Sequence, residues 1–229
     1  MGKIKGISIL SLGCRRAGKS QLNKQLLIED NLLGESDVIY IFTNSFNRQH
    51  YMDCGIEEGS IFHTVDSELI EDILQFQEQC RKEKKPMLSI TMIFDDIFGS
   101  RKQKTGKLMD SIEKIWALGR HMNISIVVCL QDIRYASHLL SNTDVAFFFP
   151  NSIRKKTQRD FIKNEIISNY TEDLKKIDEC FKNKQHQFTM VHLTTETDKW
   201  DEIVYKGKVP MSIIKYKVKT ENNIFYDLL

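Results

Sequence analysis

Residues 13–20 read Gly-Cys-Arg-Arg-Ala-Gly-Lys-Ser, and they stand between two segments of different periodicity. Upstream, residues 7–12 (ISILSL) form a short apolar run suited to a buried strand. Downstream, residues 19–29 place Leu22, Leu26 and Leu27 on one helical face. A strand, a glycine-bounded octapeptide and a helix that opens on Lys-Ser together make a phosphate-binding loop. The glycines let the backbone curl until several N–H groups point at one anion. The helix N-terminus adds partial positive charge at the same place. A chain built around this unit is expected to be α/β, with the strand buried in a parallel sheet.

The same stretch admits another reading. Leu12-Gly13-Cys14, behind an apolar run with Lys3 and Lys5 upstream, looks like the processing site of a secreted lipoprotein. A signal peptide needs an apolar centre of roughly 7–15 residues. Residues 7–12 supply six, two of them serine. Gly2 is present, but Gly6 stands where N-myristoylation expects Ser or Thr. The 5 cysteines are scattered, with no Cys-x-x-Cys pair, which points to free thiols in a reducing compartment. The 6 histidines form no metal-ligand spacing, so a structural zinc is not expected. No apolar run approaches the roughly 18 residues of a membrane span. A protein that is neither secreted nor membrane-bound is expected.

Strand and helix patterns alternate along residues 1–150. Further buried strands are expected at 38–42 (VIYIF), 87–94 (MLSITMIF), 124–130 (ISIVVCL) and 145–149 (VAFFF). Between them lie a helix capped by Asp66 with Leu69, Ile70, Ile73 and Leu74 as its stripe, and one built on Leu108, Met109, Ile112, Ile115 and Trp116. A short helix is expected at 132–140. Alternation at this spacing predicts a mainly parallel sheet with helices on both faces and right-handed crossovers. After Pro150, two polar helices (about 153–168 and 172–181) and a terminal antiparallel pair are expected. At 229 residues, with 41% hydrophobic content and only 3 prolines, the chain reads as a single domain, 1–229, with its core in 1–150.

In the loop, the nucleotide-binding segment is Gly13, Cys14, Arg15, Arg16, Ala17, Gly18, Lys19, Ser20 and Gln21. Lys19 is expected to reach the β and γ phosphates of ATP, and Ser20 to hold Mg²⁺. Arg15 and Arg16 either face solvent or touch a neighbouring subunit's side of the nucleotide. "SITMIFDD" (89–96) ends an apolar strand in two carboxylates, as a Walker B segment does. Asp95 would anchor Mg²⁺ through water, and Asp96 would orient or deprotonate the attacking water. The plainer alternative is a pair of aspartates that merely cap a strand. The next buried strand ends in Gln131. In ATPases of the additional-strand group this strand lies between the Walker A and Walker B strands, and its polar terminus faces the γ phosphate. The expected strand order is then 5-1-4-3-2. A surface glutamine is the alternative for Gln131.

"GCRRAGKS", "MIFDD" and "GRHMNISIVVCLQ" together resemble the DNA-packaging ATPases of large DNA viruses and virophages, the poxvirus-type branch of the FtsK/HerA superfamily. The resemblance covers about residues 7–151. It implies a homo-oligomeric ring, pentameric or hexameric, that uses ATP to drive double-stranded DNA into a preformed capsid, working in the host cytoplasm or virion beside a capsid or portal vertex protein. It also implies a nucleotide site between subunits, completed by an arginine from the neighbour. Arg120 occupies that arginine's position, and its alternative is a charge at a helix C-terminus. Arg134 and Arg154 are further candidates. Asp96 departs from the Glu of the wider superfamily but is familiar in the viral branch.

The net charge of +2 assigns any DNA affinity to local patches. The segment 99–107 (GSRKQKTGK) carries Arg101, Lys102, Lys104 and Lys107 with no acid, and it follows Walker B directly. A basic loop there suits a pore loop gripping phosphates. Residues 153–163 are a second basic run. Both are also readable as solvated charged surface. Three other functions compete. A GTPase-like switch would need an Asn-Lys-x-Asp segment, which is missing. A small-molecule kinase would need a substrate lid, usually arginine-rich, for which the basic 99–107 segment could be mistaken. A ring-assembly protein would bind nucleotide without translocating.

Overall fold

The computed structural model describes residues 6–27, 33, 36–43, 45–97, 105–182 and 187–209. Strand β1 (Ser8–Leu12) leads through the glycine loop into helix α1 (Lys19–Leu26). Strand β2 (Val38–Thr43) is followed by helix α2 (Ser45–Met52) and the short strand β3 (Ile61–Phe62). Helix α3 (Ser67–Lys82) then precedes β4 (Ile90–Asp95), and α4 (Thr105–Leu118) precedes β5 (Ile124–Leu130). Helix α5 (Ala136–Leu140) and strand β6 (Val145–Phe148) complete the alternating part.

The sheet order is β3-β2-β4-β5-β1-β6-β7-β8, where β7 is Gln187–His192 and β8 is Val204–Lys208. Pairing is parallel from β3 to β6 and antiparallel for β6–β7 and β7–β8. The expected order 5-1-4-3-2 is the run β6-β1-β5-β4-β2, with β5 inserted between β1 and β4. Every residue of β1, β2, β4, β5 and β6 is buried, as parallel strands covered on both faces require. Side chains alternate between two cores. Leu10, Phe42, Phe94, Val128 and Phe148 pack with α3, α4 and α5. Ile9, Ile41, Ile93, Val127 and Phe147 pack with Leu22 and Leu26 of α1 and Tyr51 of α2.

The expected elements recur with shifted ends and some additions. Asp66 caps α3, its carboxylate accepting the Glu68 and Leu69 N–H groups. Helix α2 and strand β3 were not expected. The α2 sequence SFNRQHYM has no apolar stripe, and β3 is two residues long. Beyond Pro150 the first expected helix splits into a 3-10 turn (Pro150–Ser152), helix α6 (Lys156–Phe161) and a π-helical turn (Ile162–Ile167). The Ser168 N–H reaches back to the Lys163 carbonyl at 2.8 Å, a five-residue step. That wider turn buries the successive residues Ile166 and Ile167 together. Helix α7 (Leu174–Cys180) and the β7–β8 hairpin follow as expected, and the hairpin extends the sheet past β6.

Candidate active site at the C-terminal ends of the central strands

Strands β1, β5 and β4 are adjacent and parallel, so their C-terminal ends meet on one edge of the sheet. The three expected signatures follow those ends: the glycine loop, Gln131, and Asp95-Asp96. The loop is tied to the middle strand by the Gly13 N–H, which donates to the Leu130 carbonyl at 3.1 Å. Gly13 is glycine because of crowding. A Cβ there would meet Ser152 Oγ at 2.9 Å, Ala17 Cβ at 3.1 Å and Phe149 Cδ2 at 3.2 Å. Gly18 is glycine because of its backbone, which enters α1 at φ 114°. Arg16 also takes positive φ, 63°. Lys19 is almost fully buried, and its ammonium donates to the Gly13 carbonyl at 2.7 Å and the Cys14 carbonyl at 3.0 Å. The cation thus rests on the loop's own carbonyls.

One loop contact comes from a residue that sequence reasoning passed over. Ser152 Oγ accepts the Cys14 N–H at 3.1 Å and donates to the Phe149 carbonyl at 2.8 Å. The turn after β6 therefore clamps the second residue of the loop. Cys14, Arg15 and Arg16 are exposed, and the Gln21 side-chain nitrogen is buried with no partner among the described residues.

Asp95 and Asp96 diverge. Asp95 ends β4 on the α1 face and is 1% exposed. One of its oxygens accepts the Tyr51 hydroxyl at 2.9 Å, and the Ser20 side chain stands beside the same carboxylate. Burial pushes the Asp95 pKa up, while the neighbouring Ser20 hydroxyl, the Tyr51 hydrogen bond and the Lys19 charge oppose the shift. Burial, followed by the charge of Asp95, pushes Tyr51 well above the ordinary phenol range. The next residue, Asp96, takes left-handed backbone at φ 59°, a conformation that costs a side-chain-bearing residue about 1–2 kcal/mol. Residues held this way cluster at working sites. The turn sends the Asp96 carboxylate to the Gln131 side-chain amide, which donates to it, and to Arg15, 3.9 Å away.

The fold thus brings together Lys19, Ser20, Asp95, Asp96, Gln131 and Arg15. Ser20 and Asp95 put a hydroxyl and a carboxylate side by side. Mg²⁺ needs no more protein oxygen than that when phosphates and water complete its octahedron. No cluster of three or more His, Cys, Asp or Glu suited to a metal occurs among the described residues.

Arg120 is not brought to this site. It precedes β5, at the opposite end of the sheet, and its guanidinium pairs with Asp144. The second Asp144 oxygen accepts the N–H of Ser8, at the start of β1 (2.8 Å). Arg154 is exposed beyond Ser152, and Arg134 lies in the 3-10 turn Ile133–Tyr135. Of the basic segment, Arg101, Lys102 and Lys104 lie outside the described residues, and Lys107 falls within α4.

Neither a protein-family model nor a curated protein matches this chain. Solved structures do. The genome packaging NTPase B204 from Sulfolobus turreted icosahedral virus 2, in complex with ATPγS, aligns with a TM-score of 0.59 at 16% identity, covering 92% of this chain and 100% of that one. B204 of Sulfolobus turreted icosahedral virus, a DNA-packaging ATPase, gives 0.58 at 14% identity over 90% and 99%. This chain shares the fold of the B204 structures. The cytoplasmic domain of the type VII secretion ATPase EccC from Thermomonospora curvata shares the fold more distantly, with a TM-score of 0.54 at 12% identity, and 25% of that chain is covered. No helix among the described residues is long and apolar enough to cross a membrane.

Proposed function

We propose that this protein is a Mg²⁺-dependent ATPase that works as a ring and drives double-stranded viral DNA into a preformed capsid. The observation that carries the reading is the meeting of Asp96 and Gln131 beside the phosphate loop, on the edge where Lys19 and the Ser20–Asp95 pair also stand. A loop that only bound phosphate would need Lys19 and the backbone N–H groups. A carboxylate held by an amide at the far end of the additional strand has a use when water must be aimed at a γ phosphate.

Lys19 would exchange the Gly13 and Cys14 carbonyls for phosphate oxygens, opening the loop's N–H groups to the anion. Ser20 and Asp95 would hold Mg²⁺, which supplies charge neutralisation to the phosphates. Asp96 would take the proton of the attacking water, and Gln131 would fix that water's direction. Arg120 lies at the far end of its own sheet, so a role at a γ phosphate would be one at a neighbouring subunit's site. B204 is named as a genome packaging NTPase, and the shared fold supports the same work here. The basic segment 99–107, which follows β4 in the chain and ends within α4, is the proposed DNA contact, and the host cytoplasm or virion the proposed location.

Steady-state ATP hydrolysis with Mg²⁺, measured with and without duplex DNA, tests the reading. DNA is expected to raise turnover, and the stimulation is expected to fade steeply with salt. Equal rates with and without DNA would overturn the motor. Phosphate transferred to a small acceptor rather than to water would favour the kinase. A ring that assembles on nucleotide without turnover would favour the assembly protein.

A further inference from the structure

Tyr51 has no exposed surface, yet its hydroxyl is at the centre of a polar chain. It donates to Asp95 at 2.9 Å and accepts from the Asn23 side-chain amide at 3.1 Å. The Asn23 amide also donates to Cys129 Sγ at 3.2 Å. Cys129 is the residue directly opposite Asp95 on the neighbouring strand. The chain therefore links α1, α2, β4 and β5 at the level where the strands end. Burial drives the Cys129 thiol far above its ordinary range, so this cysteine stays protonated as a neutral member of the chain.

Burying a phenol and an amide costs free energy unless both are satisfied, and a phenylalanine would fill the same volume without that requirement. Here the polar groups pair with one another, and their geometry has a consequence. Ser20 and Asn23 are three residues apart on α1 and share a helix face. The helix that presents Ser20 is thus tied through Asn23 to the phenol that grips Asp95. With one oxygen engaged by Tyr51, the Asp95 carboxylate is held in one orientation against the Ser20 hydroxyl.

We propose that Tyr51 is a positioning residue for the metal site, fixing Asp95 against Ser20 through its hydroxyl while Asn23 fixes Tyr51, and that it touches neither nucleotide nor metal. The proposal rests on the ATPase reading above. It also gives the unexpected helix α2 a role: α2 brings a side chain under the phosphate loop from the far side of β4.

The test is Tyr51→Phe, with Mg²⁺ titrated against protein saturated with a non-hydrolysable ATP analogue and thermal protection as the readout. Binding of a fluorescent ATP analogue in EDTA is measured in parallel. The Mg²⁺ midpoint is expected to rise ~10–100-fold, the range seen when a group orienting a metal ligand is lost. Metal-free nucleotide affinity is expected to be unchanged. A role limited to packing would lower the melting temperature and leave the Mg²⁺ midpoint alone, and that result would overturn the proposal. If Tyr51→Phe does not fold, the pair Tyr51→Phe with Asn23→Leu removes both polar partners at once, the less disruptive change. The same Mg²⁺ shift is expected of it. A wild-type protein with no Mg²⁺ response would overturn the ATPase reading and this inference together, whereas a normal wild-type response with an unmoved variant would overturn this inference alone.

Discussion

Asp95→Asn is expected to stabilise the empty protein while removing its Mg²⁺ response. Asp95 is 1% exposed, and its pKa is raised above the ordinary 3.8, with burial the leading cause. A carboxylate shifted in this direction allows full stability below pH 3.8, and that stability is lost as pH rises through its folded-state value. Above that value the loss is complete and constant. Asparagine has nearly the same shape, can still accept the Tyr51 hydroxyl, and never ionises. The variant should therefore overtake the wild type as pH rises from acid. Across the window between the two pKa values the gap grows by about 1.4 kcal/mol per pH unit. In a chain of this size each kcal/mol moves the melting temperature by about 2–4 °C, so the slope is roughly 3–6 °C per pH unit before it levels off. The assay is thermal unfolding of both proteins in EDTA, at matched pH values from the lowest that keeps them native up to pH 8. Comparison at each pH cancels the other titrating groups. A variant less stable than wild type at pH 8, or a gap that widens toward acid, would refute the reasoning.

Three other expectations concern different parts of the molecule. Ser152→Ala removes the acceptor of the Cys14 N–H, an interaction worth about 1 kcal/mol, and should weaken ATP binding roughly fivefold with little loss of stability; unchanged affinity in a binding titration would show that the loop needs no clamp. Burial lowers the pKa of both His50 and His192, so the unfolded chain gains protons first, and thermal stability should fall as pH drops below 6.5. In His192→Gln that fall should be shallower, and an identical pH profile would count against it. Arg120→Ala should lower turnover with little change in nucleotide affinity. Mixing it with Lys19→Ala subunits should restore part of the rate if the arginine acts on a neighbour, and unchanged turnover in Arg120→Ala alone would end that assignment.

The parts legible in the sequence are those governed by local pattern. Residues 124–130 are apolar at every position but Ser125, which marks a strand covered on both faces, and the Gln131 that follows indicated where that strand lies in the sheet. The order β6-β1-β5-β4-β2 followed from that inference. Asp95 was legible because the apolar run stops there. What local pattern could not supply is pairing across long separations. Tyr51 and Asp95 are 44 residues apart, Asn23 and Tyr51 are 28 apart, and Cys14 and Ser152 are 138 apart. Helix α2 also hides Tyr51 in a polar octapeptide with no stripe to announce a buried face. Arg15 illustrates the middle case. The sequence placed it in the loop without a task, and the left-handed turn at Asp96 supplies its partner.

In the proposed function, Asp96 and Gln131 turn a phosphate-binding loop into a hydrolytic site. The most direct measurement is nucleotide binding and single-turnover ATP cleavage, side by side, in wild type, Asp96→Asn and Gln131→Ala with Mg²⁺ present. Asn tolerates the left-handed backbone at position 96, so the variant keeps the turn and loses only the proton acceptor. ATP affinity is expected to stay near normal in both variants, with cleavage slowed by about 10²–10⁴ in Asp96→Asn, the usual range for loss of a general base. Wild-type cleavage rates in Asp96→Asn would contradict that role.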